Sequence, residues 1–152
     1  RMSTMQALNE ISITRGNSGG MCSYEIYVNK VFLTVVQGDG ILIATPTGST
    51  AYNLSCGGSI VHNAAQVICL TPINPHSLSF RPIILPVENC VLEIKMKKHS
   101  RQSTALVAID GQESFNLQQS ETLVINESPF KVPFIHWKHD NADQRWANKL
   151  NN

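Results

Sequence analysis

Residues 37–52, QGDGILIATPTGSTAY, gather three glycines, an acid, a proline, four hydroxyl side chains and a tyrosine around an apolar strand. Folding alone rarely calls for that mixture. Gly38 and Gly40 flank Asp39, so the backbone there can turn sharply or approach a ligand closely. An Asx-type turn aspartate is the plain alternative for Asp39. Residues 41–44 read as a short buried strand, and 45–50 as a turn displaying hydroxyls, shaped by Pro46-Thr47-Gly48. Residues 49–57 read as a short helix, capped by Ser49 or Thr50 and closed at glycine. Strand, polar turn and helix start together aim N–H groups and hydroxyls at a ligand. Tyr52 offers a flat face for a ribose or a ring, and a hydroxyl donor. Ala51 leaves room for the backbone to come close. Thr50 and Ser55 supply hydroxyls, and one helical turn brings Ser55 to the side of Ala51. The structural alternative is a capped helix with Tyr52 in the core.

Asn9-Glu10 sets an amide next to a carboxylate. The amide can pair with base edges and the carboxylate can accept from ribose hydroxyls; polar residues facing water at a strand end are the alternative. Adjacent strand residues point to opposite faces. If both touch one ligand, the strand must end or bulge there, or the ligand must wrap its edge. His76, Ser77, Ser79 and Arg81 lie between two prolines that stiffen their loop. Arg81 could meet a phosphate or an acid across an interface, and His76 could be a polar contact; a purely structural loop explains both equally. Asp110-Gly111-Gln112 stands at a strand end and reads as a hairpin turn. His136 and His139 flank Trp137, but no cysteine or acid completes a zinc set. No G-x-S-x-G elbow supports a serine nucleophile.

The elements that must carry these residues are mostly strands. Alternation marks 8–14 and 91–98, and buried or alternating runs mark 66–73, 104–110, 113–117, 122–126 and 131–137. Residues 23–37 read as a hairpin turning at Asn29-Lys30. A C-terminal helix over 141–150 is predicted, capped by Asn141, with Ala142, Trp146 and Leu150 as its docking stripe. The pattern predicts a mainly β chain: an antiparallel two-sheet, β-sandwich-like domain with one short helix after TPTGSTAY and a C-terminal helix. At 152 residues one domain is the default. A net charge of +1 gives no electrostatic case for nucleic acid. Charged residues are 15% of the chain against about 25% in ordinary soluble domains, which fits surface meant to be covered. Cys22, Cys56, Cys69 and Cys90 are too widely spaced for C-x-x-C ligand pairs and read as free thiols, although spacing leaves a disulfide open. The apolar runs fall far short of the roughly 20 residues of a membrane span.

Four segments, in this order, resemble those of the NAD kinases, which phosphorylate NAD to NADP. They are ALNEISITRG (7–16) with Asn9-Glu10, the stretch 37–52, TPINPHSLSFRPIILP (71–86), and VAIDGQ (107–112). The resemblance implies transfer of the ATP γ-phosphate to the adenosine 2′-hydroxyl of NAD. It implies NAD-binding roles for Asn9, Glu10, Asp39, Thr50, Ala51, Tyr52, Ser55 and Gln112, with His76 and Arg81 as phosphate or interface contacts. Asp39 would meet the nicotinamide end in a neighbouring subunit's site. The family's GGDG loop, whose aspartate is the expected base, does not occur in these 152 residues. The chain is therefore expected to be the C-terminal half, with no catalytic residue, no metal site and no activity alone. ATP with Mg²⁺ would sit on an N-terminal α/β domain, against which the C-terminal helix could dock. A homodimer or homotetramer in the cytoplasm, with no membrane or nucleic-acid partner, completes the expectation. A non-catalytic NAD(P)-binding regulatory module is the rival reading, and a distantly related lipid kinase a third, against which the adenosine-reading residues count.

Overall fold

The computed structural model describes residues 4–16, 20–77, 80–98, 102–134 and 142–150, without the side chains of Ala142, Arg145 and Lys149. Ser79, His136, Trp137, His139 and Asn141 lie outside the described residues. Among the described residues nine strands form one antiparallel system: β1 (Glu10–Thr14), β2 (Cys22–Val28), β3 (Val31–Ala44), β4 (Val67–Pro75), β5 (Ile83–Pro86), β6 (Leu92–Met96), β7 (Thr104–Ile109), β8 (Glu113–Gln118) and β9 (Thr122–Ile125). Helix α1 (Tyr52–Ser55) follows a 3₁₀ turn at Gly48–Thr50, and α2 (Ala142–Leu150) ends the described chain. The strand order is β8-β7-β1-β3-β2-β6-β9, with β4 and β5 joined through β3.

Strand β3 explains the two-sheet arrangement. Its first part, Val31–Gly38, pairs with β2; Gly40–Ala44 pairs with β1, and β4 joins from Gly38 onward. One strand thus serves a β2-β6-β9 layer and then lies between β8-β7-β1 and β4-β5 in the other. The partner change falls on Gly38-Asp39-Gly40, where the sequence suggested a turn. No turn interrupts it; the strand is continuous from Val31 to Ala44. The glycines answer to neighbouring backbone. A Cβ on Gly38 would lie 2.7 Å from the Asn74 carbonyl oxygen, and one on Gly40 would collide with the Ile13 carbonyl. Tyr24, Ile26, Leu92 and Ile94 from one layer meet Ile13, Ile41, Leu70 and Val107 from the other in a single core. Each such side chain contributes about 1.5–3 kcal/mol by leaving water.

Other expectations change in detail. Strand β4 does not end at residue 73 but reaches Pro75. Strand β5 pairs with Val67–Leu70, so beyond that point no strand among the described residues covers this edge of β4, where a missing proline N–H breaks no ladder. Strand β5 had no signal of its own in the sequence reading. Residues 131–134 are not strand. In α2, Trp146 lies edge-on to His62 at 5.1 Å and Asp143 approaches the same imidazole to 3.6 Å, while Leu150 is exposed. Of the predicted stripe, Trp146 packs against the loop that follows α1 and Leu150 does not. All four cysteines are free thiols. Among the described residues no helix is long and apolar enough to cross a membrane.

Candidate functional site

Strand β1 begins at Glu10, so Asn9 stands just outside it. The strand boundary therefore falls between the two polar residues. Both sides of the entry segment are held through its backbone. The Asp110 carboxylate accepts the N–H groups of Leu8, Asn9 and Glu10 at 2.7, 2.8 and 2.9 Å. From the other side, the Thr45 N–H donates to the Asn9 carbonyl at 2.8 Å, and the Thr45 hydroxyl donates to the Leu8 carbonyl at 2.7 Å. Gly48 presses directly on the Asn9 backbone, where any Cβ would collide with the Asn9 carbonyl. The TPTG turn and the Asn-Glu segment are therefore one packed unit.

The turn that follows is built differently from the sequence expectation. Neither Ser49 nor Thr50 caps α1; Ala51 occupies the cap position with no side-chain bond. Ser49 is buried instead, donating to the Pro46 carbonyl at 2.6 Å and accepting from the Val61 N–H at 3.0 Å. Asn53, fully buried, donates to the Ser49 and Ser59 carbonyls and accepts from the Thr71 hydroxyl at 2.6 Å. A buried amide is tolerated only when satisfied in this way. Ser49 and Asn53 thus brace the 45–61 loop on β4 and leave Tyr52, on the same turn, 43% exposed.

Glu10 faces this helix. Burial, and then the negative charge of Asp110, push its carboxyl above the ordinary value of 4.5, while the Tyr52 backbone N–H pulls the other way. Its Oε2 is buried and has no hydrogen-bond partner. Burial also pushes the Tyr52 hydroxyl up, followed by the adjacent Cys56 thiol and the charges of Asp39 and Glu10. Glu10, Asp39, Tyr52 and Cys56 accordingly share one neighbourhood, with Asn9, Thr50 and Ala51 beside them in the chain. Cys56 had not been singled out as part of it. The cluster can accept hydroxyl or N–H donors and present an aromatic face.

Asp39 links the cluster to a second feature. Its carboxylate accepts from Asn74 Nδ2 at 3.0 Å and lies 3.5 Å from the Arg15 guanidinium. Asn74 also lines an open groove of about 580 Å³ with Pro75, His76, Ser77, Phe80 and Arg81. This groove thus lies beside the Glu10 cluster rather than on it. The cluster is the stronger chemical candidate, because it holds an unpaired buried carboxylate oxygen where the groove is an open hollow. His76 and Arg81 are exposed on this loop, with the His76 N–H donating to the Gln37 carbonyl at 2.9 Å. Ser55 is exposed on α1, and Gln112 is exposed on the turn next to Asp110, its N–H closing that turn on the Ile109 carbonyl.

Comparison with known proteins follows the same residues. Residues 8–137 match the family described as the ATP-NAD kinase C-terminal domain. An ATP-NADH kinase of Saccharomyces cerevisiae is 46% identical over 134 residues, covering 88% of this chain and 27% of the relative. An NAD(+) kinase of the same yeast is 43% identical over 151 residues, 99% of this chain and 28% of the relative. The chain thus spans well under a third of these two relatives. Among solved structures, an Archaeoglobus fulgidus NAD kinase in complex with ATP superposes with a TM-score of 0.80 at 28% identity, over 95% of this chain and 54% of that one. A yeast NADH kinase complexed with NADH gives 0.69 at 32% identity, over 95% of this chain and 40% of that one. With the family match running from the Asn-Glu segment past the Asp110 turn, the chain belongs to the ATP-NAD kinase family, in its C-terminal domain.

Proposed function

We propose that this chain is the acceptor-binding part of an NAD kinase, gripping the dinucleotide while the ATP γ-phosphate passes to its adenosine 2′-hydroxyl. The observation that carries this reading is the buried, unpartnered Oε2 of Glu10 beside Tyr52. In that role Glu10 accepts ribose hydroxyls, Asn9 reads a base edge, and Tyr52 covers the sugar or ring with its exposed face. Thr50, Ala51 and Ser55 line the approach, and Gln112 stands at its margin. Asp39 reaches the nicotinamide end across a subunit contact in a homodimer or homotetramer. His76 and Arg81 flank that contact. The relatives named as kinases of NAD or NADH support the substrate class.

Phosphoryl transfer depends on alignment and charge neutralisation more than on covalent help from the protein. This chain supplies the alignment. The base and the ATP site belong, on this reading, to an N-terminal α/β domain. Mg²⁺ would enter with ATP there; among the described residues no three His, Cys, Asp or Glu side chains gather to hold it. The chain alone is then inactive.

The test is NADP formation from NAD, ATP and Mg²⁺, by this chain alone and by the chain with its natural upstream region. Activity in the longer protein only is expected. In that protein Asn9→Ala and Tyr52→Ala should each raise the NAD KM roughly tenfold, the size expected when one or two hydrogen bonds or a ring face is lost. Unchanged kinetics in both variants would sink the acceptor-site assignment. NAD binding by the longer protein without turnover would move the reading to a regulatory module.

A further inference from the structure

Asp110 was read from the sequence as a turn residue, and the turn does not need its charge. Its φ of 48° and the Gly111 φ of 67° make a left-handed pair that asparagine or glycine would accept as readily. What calls for a carboxylate lies a hundred residues away. Three consecutive N–H groups, those of Leu8, Asn9 and Glu10, converge on its two oxygens within 2.9 Å. In return the Asp110 N–H donates to the Glu10 carbonyl at 3.0 Å. An ionised carboxylate has lone pairs enough for all three donors, and such bonds are stronger than neutral ones. An amide offers one oxygen and would turn an N–H toward the remaining donors.

Resting on the acceptor-site reading above, we propose that Asp110 is a positioning residue for the dinucleotide. It fixes the backbone of Leu8–Glu10 so that the Asn9 and Glu10 side chains leave the strand entry toward Tyr52. Thr45 holds the carbonyls of the same segment and Asp110 its N–H groups. With the backbone held on both sides, the polar groups left to meet a ligand are the side chains. Releasing the Asp110 side frees the segment to move by the ångström or so that weakens an aligned contact, without removing any group that touches substrate.

The experiment uses the catalytically complete kinase. Asp110→Gly keeps the left-handed turn and deletes the carboxylate; Asp110→Asn keeps the shape and one oxygen. NAD KM, ATP KM, kcat and thermal unfolding are measured for both, beside Asn9→Ala and the Asn9→Ala/Asp110→Gly double variant. The expected result is an NAD KM about ten- to a hundredfold higher in Asp110→Gly, smaller in Asp110→Asn, with ATP KM within about twofold of the parent. The double variant should be little worse than the more damaging single change, because both act through one segment. An unchanged NAD KM in Asp110→Gly, with Asn9→Ala impaired, overturns this proposal and leaves the acceptor site standing. A general loss of stability and kcat with no selective rise in NAD KM also overturns it, as a structural role. If Asn9→Ala and Tyr52→Ala are both silent, the acceptor-site reading falls and takes this proposal with it.

Discussion

The turn joining β2 to β3 and the turn joining β7 to β8 each place two consecutive residues in the left-handed region. Asn29 and Lys30 have φ of 49° and 68°; Asp110 and Gly111 have 48° and 67°. Each first residue also ties its turn to a distant segment. Asn29 donates from Nδ2 to the Asn89 carbonyl and accepts at Oδ1 from the Val91 N–H, both at 2.9 Å, while its own N–H donates to the Val91 carbonyl. Asp110 accepts three N–H groups and donates its own to the Glu10 carbonyl. The device is shared; the donor count differs. One donor and one acceptor call for an amide, and three donors call for a carboxylate. The carboxylate brings charge with it, next to another acid, and only the Asp110 end neighbours a candidate site.

That contrast can be sharpened at three positions beyond Asp110 itself. The largest effect is expected at Glu10. Its folded carboxyl titrates above 4.5, chiefly from burial and then from Asp110. NAD affinity should therefore weaken as pH falls through that raised value, since the neutral acid is a poorer acceptor. Stability runs the other way: the folded state holds this proton more tightly than the unfolded chain, so Glu10 contributes most at acid pH. That contribution fades as pH rises from about 4.5 through the raised value. Glu10→Gln should cost about tenfold in NAD KM near neutrality and abolish the acidic limb. A variant that keeps the same limb would assign it to another group.

Next in size is Asn29→Asp, which cannot donate to the Asn89 carbonyl and sets two oxygens against each other. A loss of about 1 kcal/mol in chemical denaturation is expected, with the NAD KM unmoved. A shifted KM would mean that the two ends of the molecule are coupled. Smallest is Lys30→Gly. A left-handed lysine costs about 1 kcal/mol, partly offset by the added freedom of an unfolded glycine, so a gain of roughly 0.5 kcal/mol is expected. A loss would show that the Lys30 side chain contributes a contact of its own.

The sequence made the strands readable wherever one face is wet, as in β6, where Leu92, Ile94 and Met96 are buried between more exposed neighbours. The Asn29-Lys30 hairpin was readable for the same local reason. What escaped depended on remote partners. Gly38-Asp39-Gly40 looked like a turn because its glycines answer to Asn74 and Ile13 rather than to their own backbone. Ser49 looked like a cap, but Val61 claims its hydroxyl. Asn53 carried no signal, since its partner Thr71 is 18 residues away. The candidate site was legible as residue types; its scaffold, above all Asp110, was not.

The separation of 100 to 102 residues between the Asp110 carboxylate and its three donors also sets a clock. During synthesis Asn9 and Glu10 leave the ribosome long before Asp110 does. At roughly 5–20 residues per second they wait about 5–20 s, with their N–H groups in water, for the anchor that fixes them. The first polar residues of the candidate site to be made are thus among the last to be locked. Amide protons at residues 8–10 should gain exchange protection only once the β7–β8 turn has formed.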